Sequence, residues 1–135
     1  MRLRSLAMEC PCCSGRPFDQ CCGPVLEGTD QARSPEALMR SRYTAYARKA
    51  FDYILATTDP QRRYDFDHDA AKEWMRTSTF TGLQVLASSE DGNKGVVEFI
   101  ACFRRNGGRE EKHRELSQFR KQAGRWYFRP ERGRA

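Results

Sequence analysis

The chain contains six cysteines, and five of them fall within thirteen residues: Cys10, Cys12, Cys13, Cys21 and Cys22. Thiols at that density pair as disulfides, exchange electrons or hold a metal ion. The chain start, Met1-Arg2-Leu3-Arg4-Ser5-Leu6-Ala7-Met8, has only three consecutive apolar residues, Leu6 to Met8. An export signal needs an apolar stretch of roughly 7–15, so a cytoplasmic protein is expected. In that reducing compartment disulfides are rare, and clustered thiols point to metal or redox chemistry. The cluster is two thiol groups separated by a turn-rich loop, Ser14-Gly15-Arg16-Pro17-Phe18-Asp19-Gln20. Four thiolates around a tetrahedral Zn²⁺, with Zn–S about 2.3 Å, would close such a segment. One structural Zn²⁺ is therefore the expected cofactor. Cys102 stands alone and is assigned no chemistry.

The rest of the chain must position this cluster. Residues 9–28 are rich in Cys, Gly and Pro and too short to build a core, so a staple is needed. Leu, Ile, Val and Phe together number 22 of 135 residues, a level typical of disordered chains. The 8 Phe, 5 Tyr and 2 Trp argue instead for a small core built on aromatic rings. No apolar run approaches the ~20 residues of a membrane span.

Ser34-Pro35-Glu36-Ala37 is a helix start, with Ser as N-cap and Pro at the first helical position. Leu38, Met39, Arg42, Tyr43, Tyr46 and Ala50 follow at helical spacing. The apolar pattern continues over 51–57 until Asp59-Pro60 stops it. His68-Asp69 opens another helix, Ala70 to Met75; His68 with Asp65, Asp67 and Asp69 reads as a solvated helix start rather than a cation site. After Gly82 the period becomes two: Leu83 and Val85, a turn at Glu90-Asp91-Gly92-Asn93, then Val97, Phe99, Ala101 and Phe103. Asn106-Gly107-Gly108 signals a hairpin. Leu116 to Arg120 returns, Ala123-Gly124 turns, and Trp126-Tyr127-Phe128 closes a meander. Helices followed by strands give an α+β fold, with helices packed on one face of an antiparallel sheet.

These segments resemble known ones. Cys10-Pro11-Cys12-Cys13 through Cys21-Cys22-Gly23-Pro24 is similar to the SEC-C motif, the small zinc-binding element at the end of the SecA translocase. Leu38-Met39-Arg40-Ser41-Arg42-Tyr43-Thr44-Ala45-Tyr46 resembles the signature of the uncharacterised bacterial YchJ family. Further matches are Tyr53 to Pro60, Phe80-Thr81-Gly82-Leu83, Glu115-Leu116-Ser117-Gln118-Phe119 and Gly124 to Phe128. The resemblance implies a nuclear transport factor 2-like, or cystatin-like, cone of helices against a curved sheet. The division it implies is a zinc-binding element over 9–28 and that domain over 30–131. It also implies Cys10, Cys12, Cys21 and Cys22 as the ligands, because family members often carry Gly at the place of Cys13. Cys10-x-x-Cys13 remains a plausible pair, so Cys13 is the alternative ligand. A second, C-terminal cysteine motif common in the family is absent. In SecA the loop between ligands is basic and helps recognise an acidic chaperone; here Arg16 is offset by Asp19.

A cone of this type often encloses a cavity. With Phe119 inward, the period-two rule puts Ser117, Glu115 and His113 on the same face. A carboxylate and an imidazole there could act as acid and base. The structural alternative pairs Glu115 with Arg42 of the first helix. Tyr43, Tyr46, Trp74 and Trp126 are expected in the core, with Tyr43 and Arg42 completing the pocket candidates. The net charge is +6, carried by 24 basic and 18 acidic residues. A basic surface attracts polyanions, and Arg62-Arg63, Arg104-Arg105 and the Arg-rich tail would serve nucleic acid. No dense basic run supports that reading. The leading expectation is a zinc-binding interaction or adaptor module that docks a protein partner through the zinc motif. The alternatives are a cavity enzyme or binder, and a nucleic-acid or ribosome-associated protein. No membrane contact is expected, and the chain should be a monomer or weak dimer. Residues 1–7 show no periodicity, and translation could begin at Met8.

Overall fold

The structure is a computed structural model that describes residues 8–131. The expectations for residues 1–7, the possible start at Met8 and the last arginines of the tail concern segments outside or at the edge of that range.

Among the described residues four α-helices precede four strands: α1 (Cys22–Glu27), α2 (Pro35–Ala47), α3 (Phe51–Ala56), α4 (His68–Thr77), β1 (Ser78–Asp91), β2 (Lys94–Arg105), β3 (Glu110–Gln122) and β4 (Arg125–Arg129). The strands form one antiparallel sheet in the order β1-β2-β3-β4. This is the α+β meander expected from the order of periodicities.

Helix α2 starts as its sequence dictates. Ser34 is the N-cap, Pro35 occupies the first turn, and the Ser34 hydroxyl accepts from the Ala37 amide at 3.0 Å. The apolar pattern ran unbroken into 51–57, but the backbone breaks there: Lys49 takes a left-handed φ of 61°. The break separates α2 from α3 and aims the Lys49 ammonium at the Met75 carbonyl, 2.6 Å away, in the last turn of α4. A cation at a helix C-terminus offsets the free carbonyls there. At the other end of α4, Asp67 caps by accepting from the Ala70 amide at 2.9 Å. His68 stacks edge-on against Phe66, as a helix-start residue packed on its neighbour.

The sheet departs from expectation in its lengths. Strand β1 begins at Ser78, straight out of α4, because Ser78, Thr79 and Thr81 suit an extended chain. Strand β3 begins at Glu110 rather than Leu116. Its early half is polar on both faces, so alternation does not reveal it; Arg114 holds Glu98 across the sheet at 2.7 Å. Register shifts at Phe80/Gly82 and Val85/Ala87 interrupt β1, and such bulges bend a sheet. The concave face then wraps α2. At the tightest point a side chain on Gly95 would lie 2.3 Å from Pro35 Cγ, so only glycine lets the helix start sit on β2.

The turns follow their residues. Asn106 and Gly107 have φ of 51° and 74°, and Ala123 and Gly124 have 53° and 80°. Positive φ at both central residues is the hairpin geometry whose twist matches the strands.

The inward face carries Leu83, Val97, Phe99, Ala101, Phe119 and Trp126. These pack with Leu38, Met39 and Tyr43 of α2 and with Cys10, Cys12 and Cys22 in one buried cluster. The cysteine segment therefore shares the main core instead of building its own. Ile54, Ala45 and Met75 form a second cluster where α2, α3 and α4 meet. Among the described residues, no helix is long and apolar enough to cross a membrane.

Candidate metal centre

The cysteine segment is held by backbone bonds before any side chain is considered. The Cys10 amide donates to the Arg16 carbonyl at 2.9 Å, and the Cys13 amide donates to Cys10 at 3.1 Å. These close a tight turn that returns the chain towards Phe18. A single 3₁₀ turn, Phe18–Gln20, leads into α1 with Cys22 at its first position. Gly23 is backed against Phe18: a Cβ there would meet the Phe18 carbonyl at 2.8 Å. The Phe18 ring is covered from outside by the Arg48 guanidinium, 4.2 Å from its centroid.

This path brings the Sγ atoms of Cys10, Cys12, Cys21 and Cys22 within 4.8 Å of one another. All six cysteines are free thiols. A tetrahedron of sulfurs about 2.3 Å from a central ion has edges of about 3.8 Å. Cys12 to Cys21 is 3.6 Å and Cys21 to Cys22 is 4.0 Å, which bracket that edge. The donor set is all sulfur and mostly buried, with Cys21 the partly exposed member. Such a group suits a closed, soft-metal site. The thiols already share protons unequally: the Cys22 thiol hydrogen-bonds Cys12 and holds its pKa down, to about 4. The same bond, with burial, pushes Cys22 up.

Helix α2 supports the centre from behind. Thr44 Oγ1 lies 3.7 Å from Cys10 Sγ, and Arg40 Nη1 donates to the Cys12 carbonyl at 2.6 Å. Arg40 is fixed in turn by Glu36, Nε to Oε2 3.0 Å. From the loop itself, Ser14 Oγ lies 3.2 Å from Cys21 Sγ. Arg40 and Thr44 lie within the signature segment Leu38 to Tyr46, but neither they nor Ser14 is marked by the sequence as a support for the sulfurs. Their only signal is that Arg40 and Thr44, four apart on a helix, must share a face.

Cys13 points elsewhere. It is exposed, and its Sγ accepts from the Leu83 amide at 3.4 Å. Its φ is 66°, in the left-handed region that glycine occupies without strain. That conformation is the physical reason a glycine fits this place.

The pocket candidates lie on the concave side of the cone. His113, Glu115 and Ser117 do share the inward face of β3. His113 Nε2 is 2.8 Å from Glu115 Oε1, and the Ser117 hydroxyl donates to Oε2 at 2.6 Å. Arg42 is buried, but its hydrogen bonds turn towards α3: Nη1 donates to the Ile54 carbonyl at 3.0 Å and to Thr57 Oγ1 at 2.7 Å. Its guanidinium covers the Phe128 ring at 4.4 Å. The expected attraction to Glu115 acts on Arg42 as one charge upon another, while the α3 carbonyl and hydroxyls fix its geometry. Tyr43 lies in the core, and burial pushes its hydroxyl pKa up.

A second charged centre went unrecognised in the sequence. Asp59, fully buried, accepts from Arg120, Arg129 and the Gln61 amide. Along the sequence Asp59, followed by Pro60, marks only a helix stop.

The comparisons with known proteins agree with this architecture. The YchJ middle NTF2-like domain matches residues 34–130. A UPF0225 protein of Geobacter sulfurreducens is 47% identical over 122 residues, spanning 88% of this chain and 75% of that protein. The solution structure of a SEC-C motif containing protein from Rhodopseudomonas palustris is 60% identical, covers 94% of this chain and 100% of its own, and superposes with a TM-score of 0.84. A calcium/calmodulin-dependent protein kinase type II association domain from Thiobacillus denitrificans, at 10% identity, covers 76% of this chain and 99% of its own. Its TM-score of 0.57 supports the cone fold alone. With the domain matched over residues 34–130 and a relative 47% identical across 88% of this chain and 75% of its own length, this chain belongs to the YchJ (UPF0225) family.

Proposed function

We propose that the protein is a zinc-stapled interaction module of the cytoplasm. In this reading Cys10, Cys12, Cys21 and Cys22 hold one structural Zn²⁺, and the loop between them is the docking surface. The carrying observation is the clustering of four sulfurs within 4.8 Å on a segment whose core is shared with α2. The SEC-C motif in the name of the Rhodopseudomonas relative supports zinc as the ion. A closed four-sulfur site offers no open position for catalysis, so its contribution is folding free energy. The ion would fix a loop whose outer residues, Cys13, Gly15, Arg16, Asp19 and Gln20, face solvent. A rigid loop loses little entropy on docking, which favours binding.

Two measurements separate the parts of this reading. Elemental analysis of the purified chain should give one zinc per molecule, falling in Cys12→Ser and Cys22→Ser. A metal-free chain whose cysteines are paired as disulfides would overturn the zinc assignment. For docking, a photo-cross-linker at Arg16 should yield one discrete partner band in cells, absent when Cys22 is serine. An equal band pattern from a cross-linker at Lys94, on the far hairpin, would reject the loop as the docking surface and leave zinc standing.

A further inference from the structure

The cone encloses a cavity of about 610 Å³ between its helices and the inward face of the sheet. That is the size of a small-molecule site, and none of the metal-centre cysteines lines it. We propose that this cavity binds a small organic amine: a protonated nitrogen on an aromatic or aliphatic body. The inference is independent of the zinc staple.

Three features carry it. The first is the wall. Trp74 is the hub of an aromatic set, with ring centroids 5.3 Å from Tyr46, 5.2 Å from Phe80 and 5.5 Å from Phe103. Aromatic faces around a pocket accept apolar bodies and attract cations through the ring quadrupole.

The second is the placement of acceptors. Glu115 stands among these rings, with His113 on one carboxylate oxygen and Ser117 on the other. Those bonds fix the carboxylate in one orientation before a ligand arrives. Trp74 packs edge-on to His113 at 5.7 Å, so rings and carboxylate form one continuous surface. A second lining carboxylate, Asp65, has its Oδ2 buried with no hydrogen-bond donor among the described residues. Arg62 lies 3.9 Å from it, an ion-pair distance beyond hydrogen-bond reach. That oxygen is closed to the cavity, so Asp65 contributes its negative charge to the wall rather than a contact atom.

The third is charge. The chain is basic, at +6, yet five of the eight charged residues lining the cavity are acids. Two of the three bases are already engaged by hydrogen bonds. Arg42 is bonded to α3 and covered by Phe128, Arg129 is bonded to Asp59, and Arg105 lies over Phe103 at 5.5 Å. A carboxylate ligand would meet an excess of like charge, whereas an amine meets opposite charge and a ring box.

The test uses the purified 135-residue protein and three probes of one shape: phenethylamine, 2-phenylethanol and 3-phenylpropionate. Binding is followed by the NMR shift of the Trp74 indole N–H and by calorimetry. Phenethylamine should bind one to one and move that signal, and the carboxylate should bind at least about tenfold more weakly. Glu115→Gln and Asp65→Asn should each weaken the amine while leaving 2-phenylethanol unchanged. Both substitutions keep shape, and the neutral probe reports whether the cavity is intact. Equal affinity for all three probes, a preference for the carboxylate, or an amine affinity unaltered in both folded variants would overturn the proposal.

Discussion

Arg120 grips Asp59 through two nitrogens, Nε to Oδ2 at 2.7 Å and Nη2 to Oδ1 at 2.6 Å. The pair joins β3 to the segment after α3. Arg129 adds a third contact at 3.0 Å, and the Asp59 amide donates to the Phe128 carbonyl at 2.7 Å. Helical layer and last strand are thus riveted through one buried carboxylate. Removing one partner of a buried pair leaves the others uncompensated, so Asp59→Ala should cost about 3–5 kcal/mol in denaturant unfolding.

Asp59 should also make the fold acid-labile. Arg120 holds its pKa below the ordinary carboxylate range. A carboxyl depressed in the folded state stabilises fully above its unfolded pKa of about 3.9, and that stabilisation is lost as pH falls through the folded value. Unfolding free energy measured from pH 5 down to pH 2 should therefore fall steeply in the native chain. The fall should be shallower in Asp59→Asn, which has no proton to gain; equal slopes would assign acid lability to other groups.

The proposed zinc site should depend on its support from α2. Arg40 ties the Cys12 carbonyl to the helix, so Arg40→Ala frees the first cysteine loop without removing a sulfur. Loss of a charged hydrogen bond costs about 1.5–3 kcal/mol. Zinc content should stay at one per chain while release to a chelator becomes faster. Unchanged release would mean that the backbone bonds of the turn suffice.

Much of this arrangement could be read in advance, and the parts that could not have physical causes. Ser34-Pro35 and Asn106-Gly107 act through their own backbone geometry, so their elements were legible from a few residues. The period of two placed His113, Glu115 and Ser117 together because strand alternation needs no tertiary information. Lys49 breaks α2 without any sequence mark, since its left-handed turn goes with a bond to the Met75 carbonyl, 26 residues along the chain. Strand β3 is half hidden because Glu110 to Arg114 are all polar residues and show no apolar alternation. Asp59 was missed because its partners lie 61 and 70 residues away along the chain, and such separation leaves no local trace.

Cys13→Gly should leave zinc binding intact and stabilise the protein. The φ of 66° at Cys13 costs a residue with a Cβ about 1–2 kcal/mol. Against this stand a weak contact from the Leu83 amide at 3.4 Å and the greater freedom of glycine in the unfolded chain. The net gain should be about 0.5–1 kcal/mol, visible as a higher Tm with unchanged metal content. A loss of zinc would instead make Cys13 a ligand.

Arg42 and Glu115 should separate in their consequences. Arg42 is buried, its Nη1 satisfies the Ile54 carbonyl, and its plane covers Phe128. Arg42→Ala would strand that carbonyl and open a void beneath the ring, at a cost of about 3–5 kcal/mol. Glu115→Gln keeps an oxygen and its shape within reach of His113 and Ser117. Its cost should be about 1 kcal/mol, the scale of one weakened hydrogen bond. The coupling in a double-mutant cycle of the two should then stay below about 1 kcal/mol, since the bonds that anchor Arg42 run to the Ile54 carbonyl and the Thr57 and Thr58 hydroxyls. A coupling of several kcal/mol, with Glu115→Gln as damaging as Arg42→Ala, would make the carboxylate a structural partner and remove it from the binding surface.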